Sequence, residues 1–235
     1  MSRFFPRLSL PAWGVALFLI ALTVQLGVLS QSGVDRPPAS SSELQVHWSA
    51  LVWLQDGPAA AWNGAASLGR LDVAYVGTVY SLFGPRVAHV RLAQALFGAL
   101  AVVLCLLWGR RLARGWGKDR GDGDRIPLAA AGATALLPLG FGVPSSVSAA
   151  PLLVVLALVL VLALRESGSL GVRRFIESFV LVALLTAPFW SQPPSWSLLW
   201  LAAPLWMPYL FLGGAAAWTS FRTALSRSPQ RLQEV

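Results

Sequence analysis

Two residues in the first third of the chain have the types and spacing to move a proton. Glu43 and His47 lie four apart in SSELQVHWSALVWLQDG, so on a helix they share one face. A carboxylate beside an imidazole takes a proton from a hydroxyl, or holds the imidazole that does. Asp35 precedes Arg36-Pro37-Pro38 a short way upstream, and Asp56, Asp72 and His89 complete the acids and histidines of the same segment. Arg91 opens an uncharged run from Leu92 to Gly109, where a guanidinium fork fits a lipid phosphate. Each residue also has a plainer role. Glu43 stands three residues after Ser40 and completes a capping box. His47 can sit at headgroup depth, Asp35 can serve a turn, Asp56-Gly57 can end a helix, and Arg91 can snorkel to the interface. The residues alone leave these alternatives open. No phosphate-binding glycine loop, metal-ligand cluster or nucleophile elbow appears, so no metal or cofactor is expected. Cys105 is the single cysteine, which excludes a disulfide framework within one chain.

The elements that must position these groups are membrane spans. Of the 235 residues 56% are hydrophobic and 12% charged, against about 25% charged in an ordinary soluble domain. The expected fold is all-α and polytopic, with six spans near 9–29, 90–109, 127–142, 150–164, 175–190 and 197–218. The first run is longer than a signal-peptide core of about 7–15 residues and reads as an uncleaved span. With the amino terminus inside, 14 of the 18 basic residues fall on the inner side, and Arg36, Arg70, Arg86 and Arg91 are the exceptions. The net charge of +8 therefore reads as membrane orientation rather than nucleic-acid binding. Both termini should be cytoplasmic, in a multi-pass protein of the plasma (inner) membrane. Glu177 follows Arg173 by four residues near the inner end of the fifth span, and an ion pair between them accounts for it.

This divides the chain into a cytoplasmic start and first span (1–30), an outer loop (31–89), spans two to six (90–218) and a cytoplasmic tail (219–235). The outer loop is not low-complexity. One amphipathic helix is expected over ELQVHWSALVWLQDG, with Leu44, Trp48, Leu51 and Val52 on one apolar face. A second is expected from Leu71 to Phe83, ending at Gly84-Pro85 and too short to span. Both should lie on the outer membrane surface, apolar face down.

The order LFG-P, then VRL, then a Gly/Ala-spaced helix, then GRRL over residues 75–115 resembles the C-type membrane glycosyltransferases. That family includes the protein O-mannosyltransferases and the aminoarabinose lipid A transferases. The likeness covers the amino-terminal half of that fold, through about residue 165. It implies transfer of a sugar from a polyprenyl-phosphate carrier on the outer face, with an acid in the first outer loop as base for an acceptor hydroxyl. Glu43 matches one acid of the family's Asp-Glu pair and Ser42 stands in place of the other, leaving Asp35 as the nearby substitute. Ala149 and Ala150 occupy the place of a second acid in VPSSVSAAPLL. The chain also has fewer spans than that family's shared membrane module. Two readings follow. One is a small transferase using Glu43, Asp35 and His47, with Arg91 on the carrier phosphate. The other is a non-catalytic membrane subunit that keeps the scaffold to pack against a membrane protein partner.

Overall fold

The computed structural model describes residues 10–35, 37–38, 41–64, 70–115, 124–141, 149–164 and 203–231. Every element among them is a helix: α1 (Leu10–Ser32), α2 (Ser41–Asp56), α3 (Pro58–Gly64), α4 (Arg70–Phe83), α5 (Val87–Gly115), α6 (Arg125–Phe141), α7 (Ala150–Leu164) and α8 (Ala203–Arg231). The expected fifth span, with Glu177 and Arg173, lies outside the described residues, as do Ser40 and most of the 142–149 turn.

Among the described residues, two helices are long and apolar enough to cross a membrane, over Pro11–Gln31 and Val87–Arg114. The apolar stretches of α6 and α7, Arg125–Leu139 and Ala150–Leu160, are shorter. The last helix departs from expectation. It begins at Ala203 and runs on to Arg231, so residues anticipated as a cytoplasmic tail continue the helix. Apart from Pro229, the residues after Trp218 include no strong helix breaker, and Arg222, Ala224 and Leu225 are good helix formers.

The central helix is α5. Val103 lies near Gly14 of α1, and Gln25, further along α1, meets Gly98, earlier along α5, so the two helices run antiparallel. Leu17 and Ala21 of α1 share a core with Ala99, Val102 and Leu106 of α5 and with Ala131 and Ala135 of α6. On another side, Trp108 and Leu112 of α5 pack with Val154 and Leu158 of α7 and Leu205 and Leu212 of α8. Small residues set the spacing. A Cβ on Gly98 would come within 2.5 Å of the Gln25 amide, and one on Gly109 would meet Pro127 at 3.2 Å. Where lipid supplies no hydrophobic contrast, such close approach is a main source of helix–helix attraction.

The charged end of α5 is tied as well. Arg110 Nε donates to Asp124 Oδ1 at 2.6 Å across the α5–α6 connection. Arg111 donates to the Leu162 carbonyl, in the last turn of α7, where backbone acceptors lack helical partners.

Among the described residues between α1 and α5 there are three helices where two were expected, because Gly57 (φ 90°) ends α2 and Pro58 starts the short α3. Together α2, α3 and α4 form a cap whose core joins Ala50 of α2, Tyr75, Val76, Val79 and Tyr80 of α4, Val90 of α5 and Ala149. Gly77 lets α4 approach α2 so closely that a Cβ there would stand 2.8 Å from the Trp53 ring. Gly84 (φ 90°) then closes α4, its N–H bonded to the Tyr80 carbonyl at 2.9 Å, and α5 begins three residues later.

Candidate functional site: a buried polar junction under the α2–α4 cap

The face of α2 that packs against the rest of the protein is its polar one. Leu44 and Trp48 are 59% and 68% exposed, whereas Glu43 and His47 are 2% and 5% exposed. Leu51 and Val52 lie between, half-buried at the edges of the cap core. The expected single apolar face is thus split, and the polar stripe is the buried one. The reason is what lies beneath it: a cation from α5 and a phenol from α4, which a carboxylate and an imidazole satisfy and a leucine would not.

The cation is Arg91, 6% exposed at the start of α5. Its Nη2 stands 3.4 Å from Glu43 Oε1, and both side chains are almost fully shielded from solvent. Its Nη1 donates to the carbonyls of Gly33 and Val34, at 3.1 and 3.0 Å, in the turn that leaves α1. One guanidinium therefore fastens the end of α1, the first turn of α2 and the start of α5. These contacts turn the guanidinium into the protein.

The phenol is Tyr80. Its hydroxyl shares a 2.6 Å hydrogen bond with His47 Nδ1, and the rings stack at 5.8 Å. The other ring nitrogen, Nε2, is buried without a hydrogen-bond partner and lies 3.9 Å from Glu43 Oε1. Burial holds the His47 pKa below its ordinary value; the Glu43 charge opposes that shift and the Arg91 charge adds to it. The imidazole is therefore neutral at pH 7. Burial, helped by the negative charge of Glu43, pushes the Tyr80 hydroxyl up. Burial does the same to Tyr75, whose hydroxyl reaches the Val90 carbonyl at 3.4 Å.

Among the anticipated site residues, the structure brings Glu43, His47 and Arg91 together. Asp35 stands apart from their contacts, exposed in the turn, next to the Val34 carbonyl that Arg91 holds. Sequence reasoning did not find Tyr80, which sits 33 residues from His47 and has no local pattern to mark it. It also gave no role to Asp72, whose Oδ1 accepts a hydrogen bond from the Ala149 N–H at 2.7 Å. That bond caps the start of α7 with a carboxylate from α4. Position 149 has no acid of its own, yet an acid reaches it through space. Among the described residues no group of His, Cys, Asp and Glu is arranged to hold a metal ion.

Comparison of the chain with protein-family models, curated proteins and solved structures gives no match.

Proposed function

We propose that this chain is a multi-pass membrane subunit, related in layout to the front half of the C-type glycosyltransferases, in which the first outer loop serves structure rather than catalysis. Its six spans have both termini on the cytoplasmic side of the inner membrane. The cap of α2–α4 sits on the outer mouth of the bundle and supports a membrane protein partner. One observation carries this reading: the Glu43 carboxylate is enclosed and paired with Arg91, whose second nitrogen is held by two backbone carbonyls. A base for an incoming hydroxyl needs hydrogen-bond reach to that hydroxyl, and a phosphate-binding arginine needs a free fork. Both groups spend those capacities on each other and on the chain.

The test is turnover by the reconstituted full chain offered polyprenyl-phosphate mannose or polyprenyl-phosphate aminoarabinose with hydroxyl acceptors. The subunit reading expects no release of polyprenyl phosphate. Mild solubilisation from the native membrane is expected to leave the 25.1 kDa chain in an assembly with a second polypeptide. Release of the carrier that Glu43→Gln abolishes would overturn the reading.

A second reading keeps the sugar transfer, and one observation favours it. His47 Nε2 is left without a hydrogen-bond partner, and a neutral imidazole with one nitrogen unused is able to exchange a proton there. On that reading the turnover is lost in His47→Gln as well as in Glu43→Gln.

A further inference from the structure

The junction contains one group that the ion pair leaves over. Glu43 Oε1 faces Arg91 Nη2 at 3.4 Å and His47 Nε2 at 3.9 Å, so one carboxylate oxygen stands between a permanent cation and a potential one. With a neutral imidazole, the cluster carries one positive and one negative charge. Proton uptake makes both ring nitrogens donors. Nδ1 then donates to the Tyr80 oxygen, and Nε2–H competes with Arg91 for Glu43. The cluster acquires a net positive charge in a place closed to water, a costly change in a low-dielectric surrounding.

The charged and titratable groups that face His47 are Glu43 from its own helix, Tyr80 from α4 and Arg91 from α5. The others on the elements around it are placed elsewhere. Asp72 caps Ala149, His89 Nδ1 bonds the Gly84 carbonyl at 3.1 Å, and Arg70, Asp56 and Asp35 are exposed. The segment α3 has no titratable side chain.

We propose that His47 makes the junction an acid-sensitive latch: protonation of its ring sets a second cation against Glu43 and weakens the hold of Arg91, and the outer cap loosens from the mouth of the spans. The direction follows from linkage. A buried histidine that binds its proton less readily than a free one stabilises the closed cap fully above its ordinary value of about 6.5. That stabilisation is lost as the outer pH falls from there toward the lower pKa of the closed state. The inference does not depend on whether the chain transfers a sugar, since the latch acts through packing alone.

The test uses the full chain in nanodiscs, with Cys105→Ser removing the native thiol and Leu54→Cys carrying a nitroxide on an exposed position of α2. At pH 7.5 the spectrum should show one restricted component. As the pH is lowered to 5, a mobile component should grow in reversibly, with a midpoint below about 6.5. His89→Gln should retain this response. His47→Gln and, as an independent replacement of similar bulk, His47→Phe should lose it. A wild-type spectrum unchanged down to pH 5, or a response that persists in both His47 variants, would overturn the proposal.

Discussion

Removing Arg91 should damage the protein far more than a surface arginine would, and removing its partner as well should repair part of the damage. In Arg91→Met the side-chain volume is roughly kept, but the Glu43 carboxylate stays enclosed without its cation. Breaking a buried pair from one side costs about 3–5 kcal/mol. The Gly33 and Val34 carbonyls also lose their donor, but both residues are half-exposed and water can reach them, so this adds about 1 kcal/mol at most. In a chain of this size each kcal/mol moves the melting midpoint by about 2–4 °C, so Arg91→Met should melt roughly 6–24 °C lower. Replacing both partners by apolar residues removes the stranded charge. The double variant Glu43→Leu/Arg91→Met should then lie within about 2 kcal/mol of wild type, because apolar replacement of a buried pair is often close to neutral. Reversing the charges should not repair anything, since a glutamate at 91 would face the Gly33 and Val34 carbonyl oxygens. The assay is thermal unfolding of each variant in the same detergent. The reasoning fails if Arg91→Met melts within about 1 kcal/mol of wild type, or if the double variant is no more stable than the single.

Three further outcomes follow from the packing. Gly77→Ala should lower stability by about 1–3 kcal/mol, because its Cβ would press on the Trp53 ring, and Trp53→Leu in the same chain should recover part of the loss in thermal melts. Asp72→Ala should cost about 0.5–2 kcal/mol by uncapping α7, with Asp72→Asn milder because its amide oxygen still accepts from Ala149; faster amide exchange at the start of α7 would be the readout. Gly98→Ala should weaken the α1–α5 contact where Gln25 sits, and Gln25→Ala should relieve it, measured as reversible unfolding in mixed micelles.

The two long apolar helices were the most legible part of the fold. Long apolar runs bounded by arginines mark α1 and α5 without reference to anything distant, since a membrane crossing depends mainly on local composition. The end of α8 was less legible, because hydropathy drops after Trp218 while helix propensity does not. In the segment between α1 and α5, the spacing of Glu43 and His47 on one helix face could be read from the sequence, but the direction of that face could not. The apolar stripe of Leu44 and Trp48, exposed in the protein, does not reveal what covers the polar stripe. Those partners, Arg91 and Tyr80, are 48 and 33 residues distant from Glu43 and His47. Likewise, no pattern near Ala149 announces that its N–H is capped by Asp72, 77 residues earlier. Residues that act through tertiary pairing have no local period, and that is where a single sequence stops being informative.

The central claim is that Arg91 is spent on Glu43 and on the turn after α1 rather than held open for a phosphate. The most direct measurement is the melting midpoint of the nanodisc-reconstituted chain titrated with polyprenyl phosphate. A ligand that binds the folded state at 100 times its dissociation constant stabilises it by about 2.7 kcal/mol, a shift well within reach of the assay. The account predicts no shift for wild type or for Arg91→Lys. A rise in the wild-type midpoint that Arg91→Lys abolishes would contradict it.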